Sequence, residues 1–136
     1  MASAIKAAET AASSAESANS APYYRAADVS IAPSTTENLG SAAEASAMGV
    51  PSIASRTGGF PEIVIPGYSG WLADVGDVDG FRRALIDAME AKRDGRLDIY
   101  AARARALTEA MFPVDLVAQQ MGDLVDRAVR IHRSRR

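Results

Sequence analysis

The sequence predicts an α/β fold in which a few parallel strands are flanked by helices and followed by a helical C-terminus. Three observations point to it. Two short apolar runs, Val29 to Ala32 and Val50 to Ala54, are separated by a small-residue helical stretch, the strand-helix-strand order that parallel pairing requires. Gly58-Gly59 then turns the chain into a second short helix opened by Pro61-Glu62. From Asp77 onward apolar residues recur three and four apart, the period of amphipathic helices.

Taken in order, residues 1–21 read as an Ala/Ser-rich N-terminal helix or disordered extension. Residues 2–19 are almost all tolerable helix formers that carry little apolar area to bury. Pro22 is expected to end that segment, and Tyr23, Tyr24, Ala26 and Ala27 to form one helical turn leading to the strand at Val29. Pro33 stops the strand, and Ser34, Thr35 and Thr36 make a loop whose hydroxyls can bond the backbone. Helix resumes near Asn38 to Ser41; Ala42, Ala43, Ala45 and Ala47 let it lie close to a sheet, and Gly49 stops it. Pro51 is tolerable only where the second strand begins.

Pro66 to Gly70 is a turn, and Trp71-Leu72-Ala73 is expected as a short edge strand. Asp77 caps a helix carrying Phe81, Ala84, Leu85, Ala88 and Met89 on one face, ended by Gly95. A second helix covers roughly Leu97 to Met111. Pro113 begins a third, along which Val114, Val117, Met121, Leu124, Val125, Ala128 and Ile131 form a continuous stripe before a basic tail. Trp71 and that stripe read as core or interface.

Composition bounds the function. The 136 residues suit one domain, and a formal net charge of −2 argues against nucleic acid as the main partner. There are no cysteines, so a disulfide framework, a thiolate metal site and a Cys nucleophile are all excluded. The N-terminal stretch lacks the basic start and apolar run of a secretory signal, and no window has the length of a transmembrane segment. A cytoplasmic location is the expectation.

Chemistry concentrates in Ala27 to Val64. Glu37 sits in the loop after a strand and Glu44 in the following helix, near the carboxyl edge of a parallel sheet, where open α/β folds bind ligands. A ligand lying over Asn38, Leu39 and Gly40 would meet backbone N–H groups suited to phosphate and carboxylates suited to sugar hydroxyls. Two exposed surface glutamates account for the same residues. Asp77-Val78-Asp79 reads as a helix cap and a first-turn charge, not a metal motif. Gly58-Gly59 reads first as a structural turn, Arg25 as a surface charge, and the only histidine, His132, as part of a solvated tail. No catalytic residue, metal ligand or cofactor is assigned.

The blocks PSTTENLG, EASAMGVPSIAS, GGFPEIV, GYSGWL and GDVDGFRRAL, in that order, resemble the carboxyl-terminal, donor-binding domain of retaining GT-B-fold glycosyltransferases, over about Tyr23 to Met89. The resemblance implies a partial Rossmann-like domain over residues 22–136, with C-terminal helices over 77–136. It implies a nucleotide-diphosphate sugar as partner and a transfer chemistry without a catalytic metal. Carried onto this chain, Glu37 contacts the donor sugar, Asn38, Leu39 and Gly40 offer amides, and Glu44 holds the ribose.

Two departures qualify the carry-over. The family spaces its two glutamates eight apart; here the spacing is seven. Lost inside a helix, one residue rotates what precedes it by about 100°, which would bring Thr36 to the first position unless the loop absorbs the change. The family's phosphate-binding basic pair also lies upstream, where this chain has its Ala/Ser segment, and Arg25 and Lys6 are poor substitutes. The family's acceptor-binding amino-terminal domain is expected to lie outside these residues. The isolated chain is therefore expected to be inactive without a partner chain carrying that domain. The rival expectation is a non-catalytic remnant or interaction domain that forms a homo-oligomer.

Overall fold

The computed structural model describes residues 7–9, 20–37 and 39–134. Its centre is a parallel sheet in the order β1 (Ala7–Glu9), β2 (Val29–Ala32), β3 (Ser52–Ser55), β4 (Gly70–Ala73). The register sets Ile31 beside Ile53 and Ile53 beside Trp71. Between strands run α1 (Ala21–Ala26), α2 (Gly40–Ala47) and α3 (Phe60–Ile63); after β4 come α4 (Val78–Arg93), α5 (Leu97–Met111) and α6 (Val114–Ser134).

Strand side chains alternate between two cores, as a pleat with period two demands. Val29, Ile53 and Trp71 enter one cluster with Ala84, Ala88 and Ala91 of α4 and Leu97 and Tyr100 of α5. Ile31 of β2 also packs on that cluster, and the residues that follow Ile31, Ile53 and Trp71, namely Ala32, Ala54 and Leu72, enter the other, with Ala42 of α2 and Phe60 and Ile63 of α3. Both faces are covered, so the strands lack the polar alternation of a half-exposed sheet. Alanines at 84, 88 and 91 fall on one helical face, and without longer side chains α4 sits close to β3 and β4. The indole of Trp71 fills the remaining space, stacked on Tyr100 at 4.6 Å between ring centres and donating Nε1–H to Asp87 over 3.0 Å.

α5 joins the two cores. Its Leu97 and Tyr100 belong to the first cluster, its Leu107 packs on the second, and the Arg103 guanidinium between them lies 4.7 Å over the Tyr68 ring. The turn holding Tyr68 is fixed by Ser69, whose buried hydroxyl accepts from the Ile65 amide and donates to the Ile63 carbonyl, each at 2.9 Å. At the other end of α4, Lys92 pairs with Asp28 at 2.5 Å, both side chains about a quarter exposed, tying the last turn of the helix to the start of β2.

Two expectations change. Most of the N-terminal segment lies outside the described residues, but Ala7–Glu9 is a strand, not helix, paired in parallel with Val29 to Ile31. The edge of β2 offers unsatisfied backbone donors and acceptors that an extended segment can bond, and this tertiary gain overrides a weak local helix preference. Pro22 does not end a helix either. It stands in the first turn of α1, where its missing N–H costs nothing. The capping role of Asp77 holds, its carboxylate accepting from the Gly80 amide at 2.8 Å.

Replacing Trp71 by alanine removes the largest side chain of the first cluster together with its ring stack and its bond to Asp87. Trp71→Ala is expected to lower unfolding free energy by about 3–5 kcal/mol, measured by urea denaturation followed through far-UV circular dichroism. A loss below about 1 kcal/mol would mean that α4 and α5 are not held through this contact.

Candidate functional site

The carboxyl ends of β2, β3 and β4 lead into three loops that share one edge of the sheet. The loop after β2, residues 33–39, leans on the turn after β3. Thr57 Oγ1 donates to the Thr35 carbonyl at 3.2 Å. The backbone of Gly58 is so close to Glu37 that a Cβ there would stand 1.8 Å from the Glu37 carbonyl oxygen, and a Cβ on Gly59 would stand 3.0 Å from Leu39 Cβ. Gly58 also has φ +52°, in the left-handed region. The double glycine is thus more than a turn: it allows the two loops to touch.

α2 begins at this contact. Leu39 precedes it with φ 93°, the only non-glycine residue of positive φ among those described, an uncommon conformation that costs of order 1–3 kcal/mol and persists only where its surroundings impose it. Its carbonyl accepts from the Ala43 amide at 3.0 Å, and its side chain packs on the second core. Beyond it the helix is regular, with Ala42, Ala45 and Ser46 buried. Gly40 and Glu44, four residues apart, share a face one turn apart. Glu44 is exposed and accepts from the Ser20 hydroxyl at 3.2 Å; the Tyr24 hydroxyl donates to the Ser41 carbonyl at 3.4 Å. α1 therefore buttresses the start of α2.

Of the sequence-selected residues, Glu37, Leu39, Gly40 and Glu44 fall together on this loop and helix start, and Asn38 lies outside the described residues. Glu37 is half-buried and its backbone is clamped by Gly58. Arg25 is exposed in the last turn of α1, and Lys6 lies outside the described residues. Among the described residues no group of three or more His, Asp or Glu side chains is placed to hold a metal ion. Nor is any helix there long and apolar enough to cross a membrane.

Two concavities were not legible in the sequence. A groove of about 530 Å3 runs between β4 and α4, lined by Trp71, Asp74, Asp77, Arg83, Asp87 and Glu90 among others. Its charges are largely paired with one another: Arg56 with Asp74 at 3.2 Å and Arg83 with Asp77 at 3.5 Å. A smaller apolar depression of about 290 Å3, formed by Ile31, Pro33, Gly76, Val78 and Phe81, opens beside the loop edge. Neither includes Glu37 or Glu44. They join residues from different elements, which no local pattern signals.

A parallel sheet whose carboxyl edge gathers a glycine turn, a helix N-terminus and two carboxylates defines a Rossmann-like α/β domain. Residues 14–106 match the family described as glycosyl transferases group 1, and the chain belongs to that family. It is 34% identical over 116 residues to D-inositol 3-phosphate glycosyltransferase of Streptomyces avermitilis, a match covering 85% of this chain and 24% of that protein. The sucrose-phosphate synthase structure from Thermosynechococcus elongatus superposes with a TM-score of 0.69 at 32% identity, over 80% of this chain and 27% of that one. The structure of Anabaena Alr3699/HepE in complex with UDP-glucose superposes with a TM-score of 0.62 at 24% identity, over 79% and 30%. The chain thus spans about a quarter of the length of the curated relatives it matches.

The clamp between the loops can be tested by comparing two glycines. Gly58→Ala adds a methyl group against the Glu37 carbonyl as well as left-handed strain, whereas Gly67, with φ +73°, has nothing within 4 Å of such a methyl group. Gly67→Ala is expected to cost about 1 kcal/mol. Gly58→Ala should cost at least twice that by urea denaturation, and should speed amide hydrogen exchange across residues 34–40. Equal effects would show that the two loops are not in contact.

Proposed function

We propose that this chain is the nucleotide-sugar-binding part of a retaining glycosyltransferase, moving a glycosyl group from a nucleotide-diphosphate donor to an acceptor held by another domain or chain. The observation that carries the reading is the loop of residues 33–39, set by Thr57 and Gly58 at the N-terminus of α2 with Glu37 before that helix and Glu44 on it. The positive end of the helix dipole at Gly40 favours an anion there. A carboxylate one turn into the helix is placed to accept from ribose hydroxyls, and Glu37 from those of the sugar. Family membership and the solved relative in complex with UDP-glucose support the choice of ligand.

The seven-residue glutamate spacing is compatible with this arrangement. α2 keeps a regular buried face of Ala42, Ala45 and Ser46, and the unusual backbone is confined to Leu39 ahead of it. We place the adjustment for the missing residue there, which leaves Glu37, not Thr36, in the sugar-contacting position. Catalysis would consist of positioning the donor and stabilising the leaving diphosphate, with no nucleophile from this chain. Arg56, the basic residue nearest the clamped turn in sequence, is already paired with Asp74, so further positive charge for the diphosphate comes from the complementary part of the enzyme.

Calorimetric titration with a uridine diphosphate and a uridine diphosphate sugar tests the assignment of roles. Glu44→Ala should weaken both ligands by about 10-fold or more, the loss of a hydrogen bond to a charged group. Glu37→Ala should weaken the sugar nucleotide and leave the diphosphate unchanged. Absence of binding by the parent chain, with purine nucleotides equally silent, would instead favour a non-catalytic interaction domain, the reading that the exposed α6 recommends.

A further inference from the structure

The two carboxylates of the candidate site are held from different sides. Glu44 stands on α2, whose start is braced by α1: the Ser20 hydroxyl donates to Glu44 itself and the Tyr24 hydroxyl to the Ser41 carbonyl. The buried residues Ala42, Ala45 and Ser46 seat the same helix on the molecule. Glu37 lies ahead of the helix and has none of these supports among its printed neighbours; its backbone meets Gly58, and the chain then reaches α2 through Leu39.

Leu39 carries the strain of that passage. Its φ of 93° is a conformation that a leucine keeps only where its surroundings impose it. Glycine, which adopts positive φ freely, is the very next residue, yet the strain does not fall on it. What distinguishes Leu39 is its side chain. It packs on the cluster that contains Phe60 and Ile63, and it lies so near Gly59 that a Cβ there would stand 3.0 Å from Leu39 Cβ and 3.4 Å from Cδ1. Burying a leucine side chain and holding its backbone left-handed have free energies of the same order and opposite sign. The turn therefore stands only while the side chain is anchored. The two glycines grip the loop at two points, Gly58 on the backbone of Glu37 and Gly59 on the side chain of Leu39.

We propose that Leu39 is a positioning residue: its anchored side chain holds the loop carrying Glu37 against the double-glycine turn, and so sets the preference of the site for a nucleotide-diphosphate sugar over the bare nucleoside diphosphate. This rests on the nucleotide-sugar reading of the sheet edge. Shortening the side chain leaves the left-handed backbone uncompensated and releases Glu37, while α1 keeps Glu44 in place. The sugar loses its contact and the ribose keeps its own.

Three variants separate the anchor from the backbone. Leu39→Ala keeps the strain and removes the anchor, Leu39→Gly removes both, and Leu39→Met keeps an apolar side chain of similar volume. Without nucleotide, amide hydrogen exchange over residues 34–40 should quicken at least about 10-fold in Leu39→Ala and Leu39→Gly and stay at the parental rate in Leu39→Met. α4, which packs on the other cluster, should exchange as in the parent in all three. By calorimetric titration, affinity for UDP-glucose relative to uridine diphosphate should fall about 10-fold in Leu39→Ala and Leu39→Gly and return in Leu39→Met, a split that general loss of stability does not produce. Equal affinity of the parent for the two ligands, unchanged exchange in Leu39→Ala, or a parental preference in Leu39→Gly would each overturn the proposal. Silence of the parent toward both ligands would overturn the preference together with the nucleotide-sugar reading, and the exchange rates would then decide the anchor by themselves.

Discussion

Parallel pairing of β2, β3 and β4 constrains everything around it. Adjacent parallel strands cannot be joined by a tight hairpin, so each connection has to climb back over a face and covers it with helix. The strands are four residues each, and successive residues have to be apolar or small because both faces are covered. Ile53, Phe60, Ile63, Trp71 and Tyr100 are the bulky side chains of the two clusters, and alanines at 42, 54, 84, 88 and 91 set how closely the helices approach. With the strands all running one way, every loop that follows a strand falls on the same edge. The gathering of Glu37, Gly58 and the start of α2 on one edge is thus a product of strand direction.

How much of this was legible depends on how local its cause is. The bounds of α4, α5 and α6 follow from the periodic placement of residues such as Ala84 and Ala88, and from the stops at Gly95 and Pro113. The strand at 29–32 shows as a short apolar run, the run from Val50 to Ala54 marks the second strand although its ladder covers Ser52–Ser55, and Gly58-Gly59 shows as a turn. What could not be read was set from a distance. Ala7–Glu9 has nothing of a strand in its composition; it is extended because β2 has an open edge. The close approach of Gly58 to Glu37 links residues 21 positions apart, and the sequence shows only that glycine is present.

The candidate site divides in the same way. The pairing of Glu37 with Glu44 was visible as a motif, together with its shortened spacing. The backbone between them, a left-handed Leu39 in front of the helix, was not visible, because leucine carries no signal for positive φ. The support given to α2 by Ser20 and Tyr24 also escaped notice, since both residues lie far upstream of the motif they hold. Neither contact belongs to the strands, yet both bear on the helix start where an anion would sit.

Trp71 is the only tryptophan in the chain, and its indole is stacked on Tyr100 and bonded to Asp87 within the first core cluster. Among the described residues of the loop from 33 to 39, none enters that cluster; Leu39 packs in the other, across the sheet. Intrinsic fluorescence of this protein is therefore a gauge of whether α4 and α5 are docked, and an occupied sheet edge would leave the emission nearly unchanged. An optical silence on adding a sugar nucleotide would say nothing about whether the ligand had bound.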